Sequence, residues 1–238
     1  MFKQVKVQQV HELVQESIEQ AIGLGIYGPG DRLPQERELA EHMGVSRATV
    51  RQAMAVLETK GYVKGKRGSS GGWFVTKPRR PAGDIRTILG KSLPRLDSVL
   101  DFRIIVESAA CELAAERANP ADVRAMQDAI HEMEQAADVA SFRRSDTQFH
   151  LAVAVAAHNS MLQSSIEDAR ATAFFLVDAM DFEVQLHQSS LIEHREIYHA
   201  INGHNVTAAR QAMASHIETT RRELHTAFQE KEAPPVTL

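Results

Sequence analysis

The stretch on which the fold turns is Glu36-Arg37-Glu38-Leu39-Ala40-Glu41-His42-Met43-Gly44-Val45-Ser46-Arg47-Ala48-Thr49-Val50-Arg51-Gln52-Ala53-Met54-Ala55-Val56-Leu57. Leu33-Pro34 ahead of it opens a short helix, because proline near a helix start costs little and the early Glu residues suit the positive helix end. Gly44 stops that helix, Gly44-Val45-Ser46 makes a tight turn, and Ser46 is placed to cap the next helix. Ala40, Gly44 and Val50 are spaced for two helices that cross closely: a small residue at the approach, one that tolerates the turn, and an apolar one closing the core. Val50, Ala53 and Leu57 then face inward, while Arg47 and Arg51, four apart, share an outward flank. A helix-turn-helix offers the start of its second helix to the major groove. Arg47, Thr49 and Arg51 stand there, and arginine can grip guanine or phosphate with two hydrogen bonds. The alternative is an ordinary helical hairpin with surface arginines.

Upstream, Val10, Leu13, Val14, Ser17, Ile18, Ala21 and Ile22 form one stripe at helical spacing, stopped by Gly23, Gly25, Gly28, Pro29 and Gly30. Downstream the period changes. Gly61-Tyr62-Val63-Lys64 and Trp73-Phe74-Val75-Thr76 read as two short strands around the basic, glycine-rich tip from Gly65 to Gly72. Such a hairpin is a wing, with Lys66 and Arg67 placed for phosphates or a minor groove. A nucleotide-phosphate cradle would need a Lys-Ser/Thr pair and a following helix, and neither is present.

Charge supports the wing reading. The net charge of −4 conceals an asymmetry: residues 1 to 80 hold 13 Lys+Arg against 8 Asp+Glu, and residues 45 to 80 hold nine basic residues against one acid, Glu58. A basic stretch on an acidic chain is the footprint of a polyanion partner. At 238 residues with 43% hydrophobic content, two domains are expected. The single cysteine, Cys111, sits among apolar residues and reads as an inert core thiol in a reducing compartment. With no signal-peptide core and no apolar run near the ~18 residues of a membrane span, a cytoplasmic protein without membrane contact is expected.

The run Gly28-Pro29-Gly30-Asp31-Arg32-Leu33-Pro34 through Ala40, then Gly44 through Ala53, with Gly72-Trp73-Phe74-Val75 closing the wing, resembles the N-terminal domain of the GntR family of bacterial regulators. By that resemblance Arg37, Arg47 and Arg51 contact DNA, with Thr49 and Gly68 assisting; Ser46, Lys66 and Arg67 complete the expected DNA-facing set. Ala48-Thr49 departs from the Thr-Pro of many relatives, which touches base preference rather than fold.

Lys77-Pro78-Arg79-Arg80-Pro81-Ala82-Gly83 reads as a linker. Beyond it nothing reads as strand, and helical patterns run over about 84–92, 95–118, 120–136, 139–157, 160–185, 188–203 and 205–230. The expected architecture is mainly α: a winged helix-turn-helix over 1–77, a linker with a first bundle helix over 78–95, and an all-helical antiparallel bundle over 96–230, seven helices in all. Nine of the eleven histidines lie after residue 130. Asp146 and His150 are four apart on one helix face, His194 lies in the sixth of these helices and His216 in the seventh. A carboxylate and imidazoles converging from three helices would suit Zn²⁺, Ni²⁺, Mn²⁺ or Fe²⁺, though surface histidines are equally compatible with spacing alone.

Asp146-Thr147-Gln148-Phe149-His150, Ala157-His158-Asn159, Glu193-His194-Arg195-Glu196-Ile197 and Met213-Ala214-Ser215-His216 are similar to the FCD-type effector domain of the FadR subfamily within that family. The resemblance implies Asp146, His150, His194 and His216 as ligands of a divalent metal, in the branch that senses small acids. It also matches Arg103 and Glu107 to an Arg-x3-Glu pattern. Arg103 is either neutralised by Glu107 or meets the far end of a carboxylate effector, with Asn159 donating a further hydrogen bond. The expected assembly is a homodimer that places two recognition helices ~34 Å apart on a pseudo-palindromic double-stranded operator, acting as a repressor whose grip the effector changes. A metal-dependent enzyme, a direct metal sensor and a nonspecific architectural DNA binder are the alternatives.

Overall fold

The computed structural model describes residues 9–68, 71–76, 85–179 and 187–232. The chain divides into two compact units, Met1–Pro81 and Ala82–Leu238. The expected linker from Lys77 to Gly83, and Ser69 and Ser70 at the wing tip, lie outside the described residues.

The first unit is three helices and a hairpin: α1 (Val10–Gly23), α2 (Glu36–Met43), α3 (Arg47–Lys60), β1 (Val63–Lys66) and β2 (Gly72–Val75). Helix α1 buries Val14, Ile18 and Ile22, one residue per turn, against α3. Val10 and Leu13, expected on the same stripe, are instead exposed. Helix α2 begins two residues later than expected. Gln35 is its N-cap, with Gln35 N–H donating to Glu38 Oε2 at 2.9 Å, and Pro34 lies ahead of the cap. The residues before it are extended, since Arg32 bridges Phe74 and Leu33 N–H donates to the Trp73 carbonyl at 2.9 Å. Gly44 ends α2 at φ 65°, a left-handed conformation that a side chain resists, and this sets the turn into α3. Ser46 Oγ then accepts from Thr49 N–H at 3.1 Å, capping α3. Val50, Ala53, Met54 and Leu57 are buried, and β1 pairs antiparallel with β2 from Val63↔Val75 to Lys66↔Gly72.

The second unit is all helical in the described residues: α4 (Ile85–Arg117), α5 (Pro120–Glu134), α6 (Val139–Ala156), α7 (Ser160–Ala179), α8 (His187–Asn202) and α9 (Val206–Glu232). Six helices stand where seven were expected, because α4 runs unbroken through Pro94. Proline removes one N–H and crowds the preceding turn but does not forbid continuation when flanking turns pack. Leu96 and Leu100 just beyond Pro94 are buried in the core and supply that packing. Residues 180–185, expected to be helical, lie outside the described set. Helix α4 packs against α6, α7, α8 and α9, so it is the element around which the others are arranged. The core joins Leu100, Cys111, Met126, Phe149, Val153, Ile197, Ile201, Met213 and Ile217, all essentially inaccessible to water. Cys111 lies there, and burial followed by the neighbouring Glu107 charge pushes its thiol well above the ordinary range, so it is an unreactive packing group. Asn119 and Asp138 cap α5 and α6, so the helix starts are closed by side chains the sequence supplies at each break.

Candidate metal centre and nucleic-acid interface

Asp146 and His150 come from α6, His194 from α8 and His216 from α9. The helical bundle brings all four together: their ligand atoms lie within 4.8 Å of one another. The three imidazoles are 0–3% exposed. Asp146 Oδ1 is 3.2 Å from His194 Nε2 and 3.8 Å from His150 Nε2.

The far side of each ring decides what the near side can do. His150 Nδ1 meets Glu107 Oε2 at 2.5 Å, His194 Nδ1 meets the Ser190 carbonyl at 2.6 Å, and His216 Nδ1 meets Glu193 Oε2 at 2.8 Å. All three partners are oxygens that accept, so each Nδ1 carries a proton and each ring turns its Nε2 inward. His150 Nε2 and His194 Nε2 stand only 3.3 Å apart. Two lone pairs so close in a dry interior repel unless a proton or cation lies between them. Acceptors behind imidazoles, converging Nε2 atoms and one carboxylate form a donor set that fits a divalent cation of the zinc–nickel–manganese–iron group.

The titration behaviour agrees. Burial, followed by the Arg170 guanidinium, lowers the His150 imidazole to about 3, so it is neutral across the physiological range. Burial and the neighbouring His194 also lower His216. Burial alone would raise the Asp146 carboxyl, but the Arg170 guanidinium beside it holds it well below the usual carboxylate range. Phe149 packs its ring edge-on to His194, with centroids 4.7 Å apart, closing one wall.

Arg170 on α7 is a residue that sequence reasoning missed. It is buried, donating from Nη2 to Asp146 Oδ2 at 2.5 Å and to Thr147 Oγ1 at 3.3 Å. Its Nε and Nη1 have no hydrogen-bond partner among the described residues, and Nη1 is 3.9 Å from Glu107 Oε2. Nothing in the local sequence marks it, since it stands on a different helix, 24 residues beyond Asp146. Arg103 is buried as well, but its Nε donates to Glu107 Oε1 at 2.6 Å. Glu107 therefore serves Arg103 and His150 together, and this pairing accounts for Arg103. Asn159 lies at the start of α7, where its Oδ1 accepts from Met161 and Leu162 N–H at 3.1 and 3.3 Å. Its carbonyl is used in capping, a role that accounts for asparagine at that break.

In the first unit, Arg37 in the first turn of α2 and Arg47 and Arg51 near the start of α3 are exposed, and Thr49 is half-buried with its hydroxyl 2.8 Å from Ser46 Oγ. Lys66, Arg67 and Gly68 are exposed on the hairpin, with Lys66 Nζ 4.4 Å above the Phe74 ring and Gly68 at φ 112°. Arg51 pairs with Glu36 at 2.9 Å. A half-exposed ridge with arginines one turn apart and a glycine-tipped basic hairpin is shaped and charged for a duplex.

Residues 11–75 match the family described as bacterial regulatory proteins, gntR family, and residues 98–219 match the FCD domain. The chain belongs to the GntR family. It is 32% identical over 212 residues to the Uxu operon transcriptional regulator of Escherichia coli (strain K12), covering 83% of this chain and 80% of that one. It is 29% identical over 235 residues to the HTH-type transcriptional repressor NanR of Edwardsiella tarda (strain FL6-60), covering 90% and 85%. The solved structure of E. coli McbR/YncC shares the fold, with a TM-score of 0.57 at 19% identity over 93% of this chain and 100% of that one. As a GntR-family member with an FCD effector domain, the protein is a DNA-binding transcriptional regulator, and the metal-enzyme alternative falls away on the relatives' shared role. No helix among the described residues is long and apolar enough to cross a membrane.

Proposed function

We propose that this regulator is a homodimeric repressor whose hold on a pseudo-palindromic operator is set by a small carboxylate bound at a divalent metal. Asp146, His150, His194 and His216 would hold the ion. The observation that carries this reading is the trio of Nδ1 contacts to Glu107, Ser190 and Glu193, which turns three Nε2 atoms toward one point beside Asp146. When bound, the ion would supply a positive charge able to take a carboxylate together with a neighbouring hydroxyl or keto oxygen.

The chain's own residues define the rest of the pocket. Among the described residues no hydrogen bond reaches Arg170 Nε or Nη1, and buried N–H groups without an acceptor are costly. An effector carboxylate is that acceptor. Arg103 and Asn159, the residues first expected to meet the effector, have structural work in the Glu107 pair and the α7 cap; of the two, Arg103 retains a supporting role through Glu107. Arg37, Ser46, Arg47, Thr49, Arg51, Lys66, Arg67 and Gly68 form the DNA-facing set in the first unit. A ligand that binds one arrangement of the dimer better than another shifts operator affinity by that difference. The repressor assignment draws on the relative named as one.

The test combines elemental analysis of the purified protein with operator binding, with and without metal, across a panel of small carboxylates. Arg170→Gln should keep the metal yet lose the effector's influence on DNA. Operator affinity that tracks metal concentration alone would make the ion itself the signal. Carboxylates that move neither melting nor DNA binding in metal-loaded protein would sink the effector reading.

A further inference from the structure

An acid at the centre of a DNA-facing surface calls for a reason. Glu36 is the first residue of α2, directly before Arg37, and its side chain is 20% exposed. Its Oε2 receives Arg51 through Nη2 at 2.9 Å and Nε at 3.3 Å. Its Oε1 receives the indole N–H of Trp73 at 3.3 Å. One carboxylate thus joins the start of α2, the outer flank of α3 and the second strand of the wing. Trp73 is fixed from its other side as well. A side chain at Gly65, opposite it in the register, would meet the indole ring at 3.2 Å, so glycine there lets the ring lie against the strand. The Arg51 hydrogen bond and charge, with the Trp73 bond, hold the Glu36 carboxyl below its ordinary range.

The Arg51 side chain is 65% exposed beyond this contact. Its Nε edge faces Glu36, which leaves Nη1 and the outer hydrogen of Nη2 outside this contact. That end-on pair is the edge that meets O6 and N7 of a guanine. A guanidinium already held in one rotamer loses little freedom on meeting a base. On a duplex without the matching base, the same carboxylate cancels most of the arginine's attraction for phosphate and is itself repelled by it.

We propose that Glu36 is a specificity-determining positioning residue: it aims Arg51 at a base edge, ties that aim to the wing through Trp73, and suppresses binding to non-matching DNA. The proposal rests on the reading of Arg51 as a base contact. A simple surface ion pair would contribute about 0–1 kcal/mol of stability and distinguish no DNA from any other.

The test uses the full-length protein, a duplex selected from a random pool by the wild type, and a shuffled duplex of equal composition. Affinities are read by fluorescence anisotropy over a range of KCl. Glu36→Gln should weaken the selected duplex about threefold to tenfold and tighten the shuffled one about twofold to fivefold. Its salt slope on shuffled DNA should steepen by about one, as a released Arg51 neutralises a further phosphate. Glu36→Asp keeps the charge but shortens the reach, so it should lose affinity for the selected duplex while leaving the shuffled one unchanged. In an Arg51→Ala background, Glu36→Gln should tighten both duplexes alike, by the phosphate repulsion it relieves, and no longer separate the selected from the shuffled one. Equal shifts on both duplexes with Arg51 in place, or a difference between the duplexes that persists without Arg51, overturn the proposal. Arg51→Ala losing equally on both duplexes removes the base-reading premise itself, a failure visible before Glu36 is touched. Melting of each variant followed by Trp73 fluorescence confirms that the winged unit remains folded.

Discussion

The two units handle charge in opposite ways. In the first, Arg37, Arg47, Lys66 and Arg67 stand exposed along α2, α3 and the hairpin, the surface proposed to meet DNA. In the second, Arg103, Glu107, Arg170, His150, His194 and His216 are buried, and they are tied to one another across α4, α6, α7, α8 and α9. A surface that meets a polyanion needs exposure and local spacing, whereas an ion site needs convergence and a satisfied surrounding shell. Perturbations can therefore be aimed at one unit at a time, and the single tryptophan, Trp73, reports on the first while the helical signal is dominated by the second.

The largest expected effect is metal loading. Stripped protein titrated with Zn²⁺ or Mn²⁺ to about a thousand times Kd should gain about 4 kcal/mol in the unit that holds the ion. For a domain of this size that raises the circular-dichroism midpoint by on the order of 10 °C. The Trp73 fluorescence midpoint should stay in place, and His216→Ala should abolish the shift. Equal movement of both signals would break the contrast between the units.

Next come the exposed arginines. Arg47→Ala and Arg51→Ala should each cost about 1–3 kcal/mol of operator binding, measured by anisotropy, with metal affinity unchanged by calorimetry. Loss of metal binding in either variant would mean that the two sites are not separate.

Acid should act mainly on the bundle. In metal-stripped protein His150 titrates at about 3 when folded against an ordinary 6.5, and His216 shifts in the same direction. Between those values the unfolded chain takes up protons that the folded chain refuses, so stability falls as pH drops from about 6.5 toward 3. The slope is up to about 1.4 kcal/mol per pH unit for each such group. Below about 4.5, Glu107 and Asp146, both held below their usual range, add to the loss. Urea midpoints tracked by circular dichroism should decline from pH 7 to 5 while those tracked by Trp73 hold level. A flat bundle profile would contradict the buried neutral histidines.

The same contrast explains what could be read from the sequence. Gly44, Ser46, Val50 and Arg51 lie close together along the chain, and their roles come from turn, cap and helical spacing, so the winged unit was legible almost residue by residue. Asp146 and His150 were legible because four residues make one helical turn. That His194 and His216 join them came from family resemblance, not periodicity. Arg170 was not legible, because no local pattern distinguishes a buried arginine from a surface one on a helix of mixed composition. The union of the expected 84–92 and 95–118 helices was hidden by Pro94, whose local penalty is outweighed by the burial of Leu96 and Leu100. Asn159 carried two meanings, ligand donor or helix cap, and only the positions of Met161 and Leu162 N–H separate them.

The smallest expected effect probes a residue with two meanings in the winged unit. Ser46 caps α3 through Thr49 N–H and touches Thr49 Oγ1, yet it also stands on the face expected to meet DNA. Removing a serine cap costs about 1 kcal/mol, so Ser46→Ala should lower the Trp73 midpoint by a few degrees and leave the bundle signal alone. Asparagine caps as well as serine, so Ser46→Asn should restore the midpoint. Operator affinity of the asparagine variant then isolates the second role. Full recovery makes Ser46 a cap that merely sets the start of the recognition helix. A residual loss at wild-type stability assigns its hydroxyl to the phosphate backbone, where a contact weakens all sequences alike.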